Sequence, residues 1–138
     1  MKISQVMSRN VAIVSPDTTL KRTAELMRDR NIGFLPVIRN GSVVGVVTDR
    51  DIVVRSICDG LNPETTKVSD VMTRSCFECY DDQVLTDAAR ILTFNRVRRL
   101  LVLNRDKKLV GLLSVDDLAA KMSSDRLLGT VVRKVMAA

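Results

Sequence analysis

The sequence predicts an α/β (α+β) fold built from two pseudo-symmetric β-α-β-β-α repeats packed through their sheets. Two observations carry this expectation. The chain aligns with itself at an offset of 65 residues, which places Val6-Met7-Ser8-Arg9 on Val71-Met72-Thr73-Arg74, Leu20 on Leu85, Ala24 on Ala89 and Val37 on Val102. Past a turn the offset becomes 66, so Val44-Gly45 falls on Val110-Gly111, Thr48 on Ser114 and Asp51 on Asp117. An insertion confined to a hairpin tip is tolerated where one inside a strand is not. One repeat has too few elements to bury both faces of its strands, so the two are expected to pack around one shared core about a pseudo-twofold axis. Clefts at such an axis are bounded by both repeats and suit a small ligand.

In the first repeat, Ala12-Ile13-Val14 reads as a short strand, and Pro16-Asp17-Thr18-Thr19 supplies helix-starting chemistry. Leu20, Ala24 and Met27 recur at helical spacing and predict a helix ending near Arg30-Asn31. Phe34–Arg39 is strand-like, Asn40-Gly41 is a strong signal for a two-residue hairpin turn, and 43–48 forms the return strand. A second helix is expected over 49–59, with Gly60 placed to stop it. The second repeat copies the order, with strand 77–80, helix Leu85–Asn95, strands 100–104 and Leu109–Ser114, and helix 115–123. The repeats therefore span 1–60 and 68–124, joined by a linker at 61–67, and the amphipathic segment 125–138 carries an extra helix over Asp125–Met136.

Composition narrows the chemistry. At 138 residues, 46% hydrophobic and 28% charged, with 6 Gly and 3 Pro, the chain lies outside the collagen-like, low-complexity and disordered classes. Its apolar runs, such as Val43-Val44-Gly45-Val46-Val47, fall short of the roughly 20 residues of a membrane-spanning helix. The start Met1-Lys2-Ile3-Ser4-Gln5 has no secretory character, so a cytoplasmic protein is expected. The chain has no histidine, which excludes Ser-His-Asp and Cys-His catalysis and histidine-bearing zinc sites within one chain. Three cysteines, Cys58, Cys76 and Cys79, make an odd set for a disulfide framework. A net charge of +6 favours an anionic partner, whether nucleotide, nucleic acid or acidic protein.

The most specific segment is Gly45-Val46-Val47-Thr48-Asp49-Arg50-Asp51-Ile52, echoed by Gly111-Leu112-Leu113-Ser114-Val115-Asp116-Asp117-Leu118. In both, a strand ends in a hydroxyl residue, a helix begins, and a carboxylate follows three positions on. This is the spacing of a capping box, which closes a helix end without any ligand. It equally suits a nucleotide, since the amides of a helix start favour a phosphate and a carboxylate accepts from ribose hydroxyls. Spacing alone leaves both readings open.

Two copies that open with Val-Met-Ser/Thr, continue through Gly33-Phe34-Leu35-Pro36-Val37 or Arg98-Arg99-Leu100-Leu101-Val102, and close with Gly-h-h-Ser/Thr-x-x-Asp resemble a tandem CBS-domain pair, or Bateman module. The resemblance covers about residues 2–122. It implies a homodimer meeting through helical faces and a ligand such as AMP, ADP, ATP or S-adenosylmethionine. It further implies ribose and phosphate contacts from the Ser/Thr and Asp of one repeat, and an adenine pocket from the other. One implied site combines Thr48 and Asp51 with Cys76, Val97, Arg98 and Arg99; its twin combines Ser114 and Asp117 with Val11, Ile32, Gly33 and Phe34. Arg99 and Phe34 stand where small residues are common in the family, and Leu101 replaces the proline equivalent to Pro36. Arg98 and Arg99 offer phosphate charge, which makes the Thr48/Asp51 site the preferred one.

Other candidates give way to simpler explanations. Cys76-Phe77-Glu78-Cys79 has C-x-x-C spacing, but on a strand over 76–80 residues three apart point to opposite faces, so packing or pocket lining is the expected role and no metal is expected. Met7, Met27, Met72 and Met122 are expected to pack in the core. Asp49 and Asp116 start helices, where negative charge is favourable without chemistry. No nucleophile-base pair emerges, so a non-enzyme is expected: a regulatory module that senses an adenosine nucleotide and acts on a separate effector protein, with no cofactor required. Two rivals stay open. One is a ligand-free interaction or structural dimer in which Arg99 and Phe34 fill the pockets. The other is a nucleic-acid-associated protein using Arg96, Arg98, Arg99, Arg105, Lys107 and Lys108, although 3% aromatic residues supply few stacking surfaces.

Overall fold

The elements follow from local chemistry in most places. The computed structural model of the protein describes residues 1–122 and 125–136, Asp125 by its backbone alone. Helix α1 covers Leu20–Arg30; the Thr19 hydroxyl accepts from the Arg22 amide at its start, and Asn31 ends it in the left-handed conformation at φ 52°. Strand β1 (Phe34–Arg39) turns through Asn40 and Gly41, both at positive φ, into β2 (Ser42–Thr48), as an Asn-Gly hairpin requires. Helix α2 (Asp49–Ile52) continues as a π-helical turn, Val53–Ile57, and the chain leaves it through Gly60 at φ 70°.

The second repeat gives β3 (Glu78–Tyr80), α3 (Leu85–Asn95), β4 (Arg99–Leu103), β5 (Leu109–Ser114) and α4 (Val115–Lys121), followed by α5 (Asp125–Met136). Ser123, the predicted end of the 115–123 helix, and Ser124 and residues 137–138 of the predicted repeat and terminal segment lie outside the described residues. Strands β3-β4-β5 form one sheet, with β3 parallel and β5 antiparallel to β4. In the first repeat β1 and β2 form a two-stranded antiparallel sheet. The predicted strand Ala12-Ile13-Val14 is reduced to a single parallel bridge from Val14 to Val37. Among the described residues no helix is long and apolar enough to cross a membrane.

Two compact units emerge, and they do not follow the sequence repeats. One holds residues 12–76, the other 1–11 with 77–138. Each unit is completed by a segment from the opposite repeat. Ser8 pairs with Leu112 of β5, and Thr73 pairs with Val46 of β2, each through two backbone hydrogen bonds. These crossings explain two motif glycines. A Cβ on Gly45 would lie 2.6 Å from the Thr73 carbonyl oxygen, and one on Gly111 would lie 2.9 Å from the Ser8 carbonyl oxygen and 2.6 Å from the Met7 sulfur.

Each unit has its own buried cluster. Leu20, Met27, Leu35, Val37 and Val47 pack with Val68, Val71 and Met72 in the first. Ile3 and Met7 join Leu85, Ala88, Ala89, Leu92, Leu100 and Leu113 in the second, with Val131 and Val135 of α5. The exchanged segments supply the apolar surface that a lone repeat lacks. Met7, Met27 and Met72 are buried and Met122 partly so, as their spacing implied. The face of α1 differs from the expected one. Thr23, not Ala24, is buried, because its hydroxyl returns a hydrogen bond to the Thr19 carbonyl and needs no outside partner.

Candidate functional site: the strand-to-helix junctions

Both copies of the hydroxyl-x-x-Asp segment build the same local structure. Thr48 is the N-cap of α2: its hydroxyl accepts from the Asp51 amide at 3.1 Å, and its own amide donates to Asp51 Oδ2 at 3.0 Å. At the start of α4, the Ser114 hydroxyl accepts from the Asp117 amide at 3.2 Å, and the Ser114 amide donates to Asp117 Oδ2 at 2.9 Å. These are reciprocal capping boxes, so the structural role of the motif holds at both junctions.

Each junction also brings the start of a strand beside the start of a helix within one unit. Phe34 is the register partner of Thr48, and Arg99 that of Ser114. The Asp49 amide donates to the Gly33 carbonyl at 3.1 Å, and the Val115 amide to the Arg98 carbonyl at 3.0 Å. A Cβ on Gly33 would stand 2.6 Å from the Asp49 carboxylate, so a side chain there would turn Asp49 aside. Thus Gly33 and Phe34 adjoin Thr48, and Arg98 and Arg99 adjoin Ser114, each in its own unit. Val11, Val97 and Cys76 are half-buried, and Ile32 is exposed.

At the Ser114 junction the surface is concave. A cavity of about 120 Å³ is lined by Arg98, Arg99, Ser114, Val115, Asp116 and Met136. Both arginines are exposed, and Asp116 is the one acid among the described residues of the lining. An open groove of about 440 Å³ on the other unit, between Ile13 and Arg22, contains none of the predicted site residues.

Spacing alone missed two partners of the Asp51 carboxylate. The Thr73 hydroxyl donates toward both oxygens at 3.4 Å, and Arg55 Nη1 lies 3.8 Å from Oδ1. Arg55 stands at i+4 from Asp51, a spacing legible in the sequence. Thr73 reaches Asp51 only because its segment crosses β2, which no local pattern announces.

The other sequence candidates find structural settings. Strand β3 begins at Glu78, so Cys76 lies outside the strand expected over 76–80, and the opposite-face argument does not apply to it. Cys79 is buried; burial, and then the neighbouring Glu78 charge, push its thiol up to about 12, where it is neutral at physiological pH. Among the described residues no three histidine, cysteine or acidic side chains are arranged to hold a metal. In the basic segment, Arg105 is engaged by Asp82 through two hydrogen bonds of 2.8 Å, so that charge is already matched within the fold.

Comparison with known proteins agrees with this construction. The CBS domain matches twice, over residues 3–57 and 68–124. The CBS domain-containing protein YhcV of Bacillus subtilis (strain 168) is 32% identical over 133 residues, covering 96% of this chain and 94% of its own. The inosine-5'-monophosphate dehydrogenase of Methanocaldococcus jannaschii is 30% identical over 118 residues, which is 85% of this chain but 23% of that enzyme. Among solved structures, CBSX2 in complex with AMP superposes with a TM-score of 0.74 at 32% identity, covering 86% of this chain and 93% of the other. On the double match and on a full-length relative, the chain belongs to the CBS-domain family and consists of a tandem CBS pair.

Proposed function

We propose that this CBS pair is a cytoplasmic regulatory module that binds an adenosine-containing nucleotide, AMP, ADP, ATP or S-adenosylmethionine, and passes its occupancy to a separate effector protein. The observation that most supports the reading is the Ser114 junction, where two arginines line a cavity beside a hydroxyl and a carboxylate, in a chain similar to one solved with AMP. The Thr48/Asp51 and Ser114/Asp117 pairs are the groups for ribose and phosphate, and Arg98 and Arg99 supply positive charge. The function is binding, not catalysis.

Occupancy regulates a partner only if the two conformations of the module differ in nucleotide affinity, a coupling of typically 1–3 kcal/mol. The module is proposed to act as a homodimer, because Val53, Val54 and Ile57 leave apolar surface exposed on the helix that follows β2. Thermal melting with each of the four compounds tests the ligand class, since binding to the folded state alone raises the midpoint. At least one compound is expected to raise it. No shift from any of the four, with a preparation free of nucleotide by mass spectrometry, would leave the ligand-free dimer as the better reading.

A further inference from the structure

The carboxylates that the repeat makes equivalent have different surroundings. Asp51 is 8% exposed and engages both oxygens: Oδ2 accepts from the Thr48 amide and the Thr73 hydroxyl, and Oδ1 accepts from that hydroxyl and faces Arg55. Arg55 is held in place by donating to the Val71 and Met72 carbonyls at 3.0 and 3.2 Å and to the Thr73 hydroxyl at 3.3 Å. Asp117 is half-buried and uses one oxygen, Oδ2, which accepts from the Ser114 amide and, at 3.0 Å, from the Ser114 hydroxyl. Among the described residues nothing donates to its Oδ1. Lys121 stands in the place of Arg55 in the second repeat, and Ser8 in that of Thr73, and among the described residues Asp117 bonds with Ser114 and with neither of these.

An ionised carboxylate only accepts hydrogen bonds, through about four lone-pair positions on its two oxygens. The paired hydroxyls of a ribose need acceptor positions that the protein has not filled. Asp117 keeps a whole oxygen for them, whereas Asp51 would have to exchange Thr73 and Arg55, a guanidinium that itself satisfies two backbone carbonyls. We infer that Arg55 and Thr73 act as internal occupants of the Asp51 junction, and that the chain takes one adenosine nucleotide, with its ribose on Asp117. This rests on the nucleotide reading and deepens it. Arg98 and Arg99 line the neighbouring cavity beside Ser114 and bring to it the guanidinium groups that suit a phosphate. The preference for Thr48 and Asp51 drawn from the sequence is thereby reversed.

Titration calorimetry of the full chain with AMP, ADP, ATP and S-adenosylmethionine reads stoichiometry and affinity together. The wild type is expected to bind one nucleotide per chain. Asp117→Asn keeps an amide oxygen for the Ser114 amide, so the cap survives, while affinity falls at least about tenfold, the loss expected for a hydrogen bond to a charged group. Arg55→Met combined with Thr73→Val, shown to fold by thermal melting, is expected to bind two. Two nucleotides per wild-type chain, or undiminished binding by Asp117→Asn, overturns the inference and leaves the nucleotide reading standing. A folded double variant that still binds one removes the role given to Arg55 and Thr73. No heat from any compound with any variant overturns the nucleotide reading and this inference together.

Discussion

Arg105 meets Asp82 through both Nε and Nη2, each at 2.8 Å, while its guanidinium lies 4.1 Å from the centroid of the Tyr80 ring. The pair ties the β4–β5 hairpin to the turn before α3, and in the first repeat its counterpart, Arg39 with Asp17, stands looser at 3.9 Å. The hydrogen bonds from Arg105 hold the Asp82 carboxyl below its ordinary value of 3.8. A folded-state value below the unfolded one stabilises the protein above the unfolded value, and the benefit fades as pH falls through the lower folded one. Asp82→Asn is therefore expected to melt below the wild type at neutral pH, with the gap closing in acid once the carboxyl is protonated in both states. A gap that stays constant into strong acid would mean that the charge of Asp82 contributes nothing. The pair also shows what the sequence of the basic segment does not reveal. Arg105 counts as a cation in the sequence, but its partner lies 23 residues away, beyond any local spacing rule. Thr48 with Asp51 was legible because a capping box is local, and Thr73 was not because it arrives through the fold.

Elements whose boundaries rest on local signals coincide with their predicted spans: α1 ends at the left-handed Asn31, the Asn-Gly hairpin turns as expected, and α3, β5 and α5 keep their limits. The misjudged elements depend on distant pairing. Residues 12–14 have strand composition, yet only Val14 finds a partner. Gly45 and Gly111 read as motif letters in the sequence, whereas in the fold they are the places where the exchanged segments cross β2 and β5. Gly45→Ala tests this directly, because its Cβ would meet the Thr73 carbonyl oxygen, a backbone atom with little freedom to move. Chemical denaturation is expected to show a loss of about 1–3 kcal/mol, the usual cost of overpacking a tight interior. A loss within 0.5 kcal/mol, the ordinary scatter of surface substitutions, would show that the crossing segment moves aside at no cost.

For the whole molecule, the duplication was legible from the first alignment, but the partition it produces was not. Sequence similarity groups residues 3–57 and 68–124, while packing groups 12–76 and, separately, 1–11 with 77–138. Exchange of the leading segments means that neither repeat closes a core from its own residues. What the two cores leave uncovered bears on assembly. Val53, Val54, Ile57 and Leu61 are 51, 46, 65 and 39% exposed along one stretch of chain, where isolated exposed apolar residues are ordinary but a run of them marks an interaction surface. The proposed homodimer would cover this stretch, and a stable interface needs about 800 Å² from each partner. Analytical ultracentrifugation is expected to give twice the 15.3 kDa chain mass for the wild type. Val54→Asp with Ile57→Asp should give the single-chain mass with unchanged circular dichroism, because neither side chain belongs to a buried cluster and a carboxylate stranded in an apolar interface is costly to desolvate. A double variant that keeps the wild-type mass would move the interface elsewhere, and a wild type that sediments as a single chain at high concentration would remove the dimer from the proposed mechanism.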